Sequence, residues 1–143
     1  MRYFLLKPEV AGGFGENIVI DRSVNPFRVE KLHYEFDGWL GDDLLTSFPC
    51  IIGTVKLIER LNESSFSGYS VGDVEISTSY EFRQLYPDRV LPEFRWIKVH
   101  GTPGKDDLGL SGRRRLVVSE RVLGVLKTFQ ISHCDIEEFF EES

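Results

Sequence analysis

Apolar and polar positions along the chain follow two periods, one typical of strands and one typical of helices. Leu32, Tyr34 and Phe36 alternate with polar residues, and this period of two predicts a half-buried strand over residues 29–36. Runs rich in aromatic or β-branched residues predict further strands. Those runs cover residues 2–7, 18–20, 74–76, 94–100 and 135–137.

Two stretches carry apolar residues at helical spacing, and these predict the two main helices, at about residues 54–64 and 119–130. Thr54 and Ser119 stand where an N-cap is expected, because their hydroxyl oxygens can accept from the first free amides of a helix. A shorter helix is predicted at residues 80–86. The apolar stripes of the two main helices consist of Leu57, Ile58 and Leu61, and of Val122, Leu123, Val125, Leu126 and Phe129.

Glycine-rich and polar segments separate these elements and predict turns and loops. The glycines at 12–15 are followed by a strand pattern rather than a helix, so a flexible turn is favoured over a phosphate-binding loop. Residues 38–43 predict a loop, in which Asp42 or Asp43 could cap a short helical turn through Leu44 and Leu45. Residues 101–112 predict a long polar loop.

A weak internal repeat is visible in the sequence. In each copy a short apolar strand meets a hydroxyl residue and then an amphipathic helix, first around Thr54 and again around Ser119. The first copy continues to residues 73–76 and the second to residues 135–137, and both of these segments begin with the pattern Asp-x-Glu. Duplication is one interpretation, and the chance recurrence of a common strand–cap–helix unit is the other, which we favour here.

The order of the elements indicates the fold class. Strand and helix signals are of similar weight and do not strictly alternate, which favours an α+β fold over a doubly wound parallel sheet. No linker or low-complexity run divides the chain. We therefore expect a single domain over residues 1–143, with a mixed or antiparallel sheet packed against the two main helices.

Charge and cysteine content indicate which class of partner the protein binds and in which cellular compartment it is located. The formal net charge is −6, which repels phosphate backbones and argues against nucleic-acid binding, while it suits a basic protein partner. Cys50 and Cys134 are the only cysteines, they are far apart, and no secretion signal or membrane-spanning stretch is evident. We expect a cytoplasmic protein that does not contact membranes; its oligomeric state stays open.

Two pairs of adjacent carboxylates, Asp42-Asp43 and Asp106-Asp107, are the main candidates for chemistry. Paired carboxylates can bind a hard cation or divide acid and base roles, so one hypothesis is a metal-dependent or hydrolytic enzyme that uses both pairs. Adjacent side chains point in different directions, however, and no histidine is within helical reach of either pair. We therefore favour acidic loops that contact a partner, and expect no catalytic residues, metal or cofactor.

Aromatic and basic residues add further candidates. Trp39 lies in a glycine-flanked loop beside the first Asp pair and is predicted to be an exposed contact residue. The predicted partner-binding residues are therefore Trp39, Asp42, Asp43, Asp106 and Asp107. The basic run at residues 113–115 is expected to pair with carboxylates. A third hypothesis is a homo-oligomeric structural module, joined through an edge strand at residues 94–100.

Three segments resemble a known family. The opening strand Tyr3-Phe4-Leu5-Leu6, the Gly41-Asp42-Asp43 stretch and the sequence LVVSERV at residues 116–122, followed by Leu126, are similar to the Imm11-type immunity proteins of bacterial polymorphic toxin systems. That family was formerly a domain of unknown function. The resemblance implies a cytoplasmic bacterial protein that neutralises a cognate toxin domain by direct contact, and it brings no catalytic residues.

Overall fold

The computed structural model describes residues 1–140, and its elements confirm the α+β class. The helices are α1 (Val55–Glu63), α2 (Tyr80–Leu85) and α3 (Glu120–Leu126). The first main helix lies where it is predicted, whereas the second ends at Leu126 rather than at residue 130. Instead of one sheet, the described strands form three sheets of four strands each.

Two of the sheets are antiparallel throughout and have the same arrangement. The first contains β5 (Leu44–Ser47), β6 (Cys50–Thr54), β7 (Tyr69–Gly72) and β9 (Phe94–Val99), in the order β5-β6-β9-β7. The second contains β1 (Tyr3–Lys7), β10 (Leu108–Leu110), β11 (Leu116–Ser119) and β12 (Asp135–Phe139), in the order β10-β11-β1-β12. In both, a hairpin leads directly into a helix, and the hairpin's second strand pairs with a strand from elsewhere in the chain.

The third sheet is built on one long strand. It contains β2 (Gly12–Phe14), β3 (Val19–Asp21), β4 (Arg28–Phe36) and β8 (Val74–Thr78). The strands β2 and β3 pair antiparallel with β4, and β8 pairs parallel with it. The predicted burial of Leu32, Tyr34 and Phe36 is confirmed, but His33 between them is also buried, at 3% exposure, so the strand is buried on both faces at this point.

Several local predictions were wrong. Leu44 and Leu45 begin a strand instead of a helical turn, the predicted loop at 101–112 contains β10, and the glycine turn at 12–15 contains β2. The strand β9 is confirmed as a strand, but it lies between β6 and β7 and is not an edge strand. Both of its backbone edges are paired, so it cannot join a second copy of the chain in the way the homo-oligomer hypothesis requires.

The internal repeat is present in three dimensions, with matching registers. In the first copy Thr54 pairs with Phe94, and in the second Ser119 pairs with Tyr3. The first residue of each helix also donates its amide to the residue before that partner strand, Val55 to Glu93 at 3.1 Å and Glu120 to Arg2 at 3.0 Å.

The repeat does not continue as the sequence suggested. The counterpart of β12 is β7, because each lies on the far side of the partner strand, whereas residues 74–78 belong to the third sheet. The counterpart of β9 is β1, which precedes its own copy in the chain. These correspondences favour two structurally equivalent units over a chance recurrence of strand, cap and helix.

The helices of the two copies share one apolar cluster. Leu57, Ile58 and Leu61 of α1 pack in the same cluster as Val122, Leu123, Val125 and Leu126 of α3. A second cluster lies between β4 and the β6–β9 pair, where Phe36 contacts the rings of Tyr34, Phe82 and Phe94. The two clusters contain the apolar residues whose spacing predicted the helices and the strand β4.

Candidate functional site

Asp43 and Asp107 occupy equivalent positions in the two copies. Asp43 Oδ1 accepts from the Thr54 hydroxyl at 3.0 Å, and Asp107 Oδ1 accepts from the Ser119 hydroxyl at 2.9 Å. The backbone carbonyl oxygens of the same two residues accept from the amides of Thr54 and Ser119, at 2.9 and 2.8 Å. Each carboxylate therefore holds the start of its hairpin against the start of its helix.

The second oxygen of each carboxylate reaches the other copy. Asp43 Oδ2 accepts from the amide of Gln130, which follows α3, at 2.8 Å. Asp107 Oδ2 accepts from the amide of Ser67, which follows α1, at 3.1 Å. The two carboxylates thus tie the copies to each other in a reciprocal way. Ser119 also caps α3 as predicted, since its oxygen accepts from the amide of Val122, whereas the Thr54 side chain makes no cap bond.

Asp43 and Asp107 each lie close to a basic side chain, which in both copies comes two positions after the hydroxyl residue of the repeat. Arg121 donates to both Asp107 oxygens, at 3.0 and 3.2 Å, and Lys56 lies 3.6 Å from Asp43 Oδ1. Burial acts to raise the pKa of Asp107, but the bonds from Ser67, Ser119 and Arg121 outweigh it, so its pKa lies below the ordinary value. This carboxylate is therefore ionised at neutral pH and acts as a structural anchor.

The predicted exposure of the acidic contact residues was wrong for three of the four. Asp42, Asp43 and Asp107 are buried, at 0%, 4% and 8% exposure. Asp106 is half-buried and accepts from the amide of Thr102 at 2.7 Å. Trp39 is half-buried rather than exposed, with its indole N–H donating to the Asp42 carbonyl at 2.9 Å and its ring packed against Phe94.

The two Asp pairs do not form one site. Among residues 1–140 the two pairs share no hydrogen-bond partner: the first binds Thr54, Gln130 and His133, and the second binds Ser67, Thr102, Ser119 and Arg121. The convergence on which the paired-carboxylate enzyme hypothesis depends is therefore absent from this part of the chain. Each pair recurs because the fold repeats, which is a structural reason for the pattern.

Asp42 is where the two copies differ. Its oxygens accept from the backbone amide of His133 at 2.8 Å and lie 3.0 Å from His133 Nδ1. Glu9 completes the group, with its oxygens accepting from the amides of Leu40 at 2.7 Å and Asp42 at 3.3 Å. The ligand atoms of Glu9, Asp42 and His133 lie within 4.8 Å of one another. Backbone amides and the His133 ring already contact all four carboxylate oxygens, so hydrogen bonds within the protein hold this cluster together.

We expect the pKa of His133 to lie above its ordinary value of about 6.5, because Asp42 accepts from the ring and its negative charge favours the imidazolium. NMR titration of the ring protons will measure it. In Asp42→Asn, which keeps the shape of the side chain but removes the charge, the pKa should return toward the ordinary value.

The contact between Asp42 and His133 should also make the free energy of unfolding depend on pH. A raised folded-state pKa means that the Asp42–imidazolium interaction contributes fully below the unfolded pKa and is lost as the pH rises through the folded pKa. The stability difference between the wild type and His133→Gln should therefore be largest in mild acid and shrink toward alkaline pH. A difference that grows with pH would show that Asp42 does not hold the charged ring.

His133 borders a concave surface of about 410 Å³. Three apolar side chains that are largely exposed line it: Val10 at 69%, Leu40 at 63% and Phe48 at 46%. Leu40 lies in the loop before β5, where its amide donates to the Glu9 carboxylate, and Phe48 lies at the turn between β5 and β6. We define the concave surface by six residues: Val10, Leu40, Phe48, Arg114, Arg115 and His133.

The two arginines of this surface are held by aromatic rings. The Arg115 guanidinium lies 5.1 Å from the centre of the Phe48 ring, and that of Arg114 lies 4.7 Å from the centre of the Phe27 ring. Within residues 1–140 neither forms an ion pair with a carboxylate, so the predicted pairing of the run 113–115 was wrong. The Arg115 guanidinium lies over a ring of the concave surface, whereas the Arg114 guanidinium lies over Phe27, which does not line it.

Cys134, next to His133 in sequence, does not behave as an activated nucleophile. Burial raises the pKa of its thiol to about 11, so the thiol is neutral at physiological pH. Its neighbour's ring is already engaged with Asp42. The adjacency of the two residues in the sequence therefore does not produce a thiolate–imidazole pair.

No protein-family model matches the chain, and no curated protein matches it either. Among residues 1–140, none of the helices is both long and apolar enough to cross a bilayer. The case for a function therefore depends on the geometry of the concave surface and on the sequence resemblance.

Proposed function

We propose that the chain is an immunity-type protein that neutralises a cognate bacterial toxin domain by binding it through the concave surface. The observation that carries this is the gathering of three exposed apolar side chains, Val10, Leu40 and Phe48, around one concavity beside two arginines. Exposed apolar clusters with arginine and aromatic residues are typical of binding surfaces, and a concave site protects its central contacts from water.

The charge of the chain supports a partner that is basic overall. The net charge of −6 accelerates the approach of a basic domain through long-range attraction. The resemblance of the opening strand, the Gly-Asp-Asp stretch and LVVSERV to Imm11-type immunity proteins supports the same assignment, together with a cytoplasmic location. The buried Asp43 and Asp107 then serve the binding function indirectly, because they fix the loops that present the surface.

The test uses the candidate toxin domain encoded beside this gene in its native genome. The domain is expressed under inducible control, and we expect the wild-type chain to restore growth and to bind the purified domain. Leu40→Asp and Phe48→Asp should each weaken binding by about 30-fold, equivalent to about 2 kcal/mol, because an ion is placed in the apolar contact. Val90→Asp is the matched control, since Val90 is 86% exposed and lies outside the concave surface.

Two results would contradict the proposal. One is a neighbourhood with no toxic gene product that the wild-type chain can neutralise. The other, which concerns the surface alone, is undiminished neutralisation by Leu40→Asp and Phe48→Asp. Far-ultraviolet circular dichroism of each variant separates a lost contact from a lost fold.

A hydrolytic enzyme is the second candidate, and one observation favours it. His133 borders the concavity while Asp42 holds its Nδ1, which is how a carboxylate orients a histidine that acts as a general base. In this enzyme hypothesis Asp42 orients His133, and the other three aspartates of the two pairs have no catalytic role. It predicts that His133→Asn abolishes neutralisation although the variant still binds the toxin domain, whereas direct inhibition predicts that binding and neutralisation change together.

A further inference from the structure

The arginine turn that borders the concave surface is built with some local strain. Arg114 has φ of +60°, in the left-handed region that residues with a side chain rarely adopt. The turn is closed by backbone bonds from Arg114 to Ser111 and from Ser111 to Arg115, at 2.8 and 2.9 Å, and by a bond from the Arg115 amide to the Ser111 hydroxyl at 3.2 Å. The turn holds Arg114 and Arg115 at the same concavity, with the Arg115 guanidinium over the Phe48 ring that lines it.

Positive charge is concentrated at this place on an acidic chain. Lys7, Arg114 and Arg115 line the concavity, opposed by Glu9 and Asp135. Glu9 is only 6% exposed and both of its oxygens accept from backbone amides, so its charge is directed inward. The Phe48 ring holds the Arg115 guanidinium at this surface without neutralising it, and a guanidinium is suited to bind a carboxylate.

The apolar part of the surface lies next to these donors. Phe48 is the link, because its ring contacts Arg115 and is itself 46% exposed. Leu40 and Val10 line the same concavity. A ligand that fits must therefore present an apolar side chain and, close to it, a group that accepts from guanidinium donors.

We propose that the concave surface binds a segment of the partner protein in which an apolar or aromatic side chain lies close to an aspartate or glutamate. Val10, Leu40 and Phe48 take the apolar side chain, and Arg115 takes the carboxylate, with Arg114 adding positive charge from the same turn. This inference rests on the proposed function and names the chemistry of its contact. A partner can be basic overall, which governs its approach at long range, and still carry an acidic residue at the point of contact.

Selection from a library of short random linear peptides tests this without the toxin. The full chain is the target, and selected peptides are synthesised and their affinities measured by fluorescence anisotropy. We expect the selected sequences to place Asp or Glu within a few positions of an apolar or aromatic residue. Replacing that acid by its amide should weaken binding at least about tenfold, because a charge-assisted bond to the arginines is lost.

The arginine variants supply the matched comparison. Arg114→Gln with Arg115→Gln, and Arg115→Gln alone in case the strained position does not tolerate change, should weaken the same peptides to a similar degree. Arg113→Gln removes an equal charge from an exposed arginine of the same run that does not line the concavity, and it should change the affinity by no more than about twofold.

Failure of this inference is distinct from failure of the proposed function. The inference is overturned by selected peptides that are basic or purely apolar, by no selection at all, or by equal binding to the arginine double variant. The growth assay is independent of these outcomes. If the chain selects acidic–apolar peptides but does not neutralise the toxin, the binding site stands and the immunity function fails. If the chain neutralises the toxin but selects no such peptides, the immunity function stands and the acidic–apolar contact at the concave surface fails.

Discussion

Asp107→Ala should lower the free energy of unfolding by about 3 kcal/mol, which is a large part of the stability of a domain of this size. The substitution leaves the Ser119 hydroxyl and the Ser67 amide without their acceptor inside the protein. The ion pair with Arg121 adds little to this figure, because the Arg121 side chain is 61% exposed and water screens the pair. Urea unfolding followed by fluorescence at neutral pH measures the loss.

Asp43→Ala should have an effect of the same size, because Asp43 makes the equivalent bonds from Thr54 and Gln130. Asp106→Ala is the control: Asp106 is the neighbour of Asp107, but within residues 1–140 its carboxylate accepts only from the Thr102 amide, at the surface, so the loss should stay below about 1 kcal/mol. If Asp106→Ala and Asp107→Ala lose the same stability, the burial of Asp107 is not what holds the fold.

The form of the unfolding transition tests the reciprocal tie between the copies. Each of the two carboxylates binds a backbone amide of the other copy, so weakening either one loosens both. We therefore expect Asp43→Ala and Asp107→Ala each to unfold in a single cooperative step at lower urea concentration. Two separate transitions in either variant would show that the copies are stable independently of each other.

Some hydrogen bonds occur in both copies of the repeat, and the contact of Asp42 with His133 occurs in one copy alone among residues 1–140. Asp43 and Asp107 have counterparts in each other, as do Thr54 and Ser119, and their shared role is to hold a hairpin, a helix and the opposite copy together. Asp42 has no such counterpart, since the equivalent Asp106 binds its own loop while Asp42 binds His133. The unrepeated contact lies beside the concave surface, which is where we expect function.

Local sequence patterns predicted the elements well because they depend on neighbouring residues. The alternation around Tyr34 and the stripe beginning at Leu57 report which face of an element is buried, and the structure buries those faces. The position of the Phe94 strand inside a sheet was missed, because alternation says that a strand exists and does not say how many partners it has.

The candidate site was predicted less well, for two physical reasons. Charged residues were taken as exposed, although a carboxylate with several donors can be buried, and the signal for this was present: Asp-Asp-Leu recurs at 42–44 and 106–108, with the hydroxyl residue 11 or 12 positions after the second Asp. His133 and Gln130, which bind Asp42 and Asp43, lie 91 and 87 residues away from them along the chain, a separation that no local pattern encodes.

Phe36→Ala should lower the free energy of unfolding by about 4 kcal/mol, more than either Asp43→Ala or Asp107→Ala. Phe36 is fully buried on β4, and its ring lies 4.9 Å from that of Tyr34 and 5.4 Å from that of Phe94, so truncation leaves a cavity that strands on both sides cannot fill. Thermal and urea unfolding of the purified variant will measure this loss.

Phe48→Ala is the matched control and separates the fold from the function. The same atoms are removed, but Phe48 is 46% exposed and its ring contacts Arg115 at the surface, so the stability loss should stay below about 1 kcal/mol. Binding of the partner should nevertheless fall sharply, because Phe48 lines the concave surface and holds Arg115. If Phe48→Ala destabilises the chain as much as Phe36→Ala, then Phe48 belongs to the core and the proposed contact surface loses its central residue.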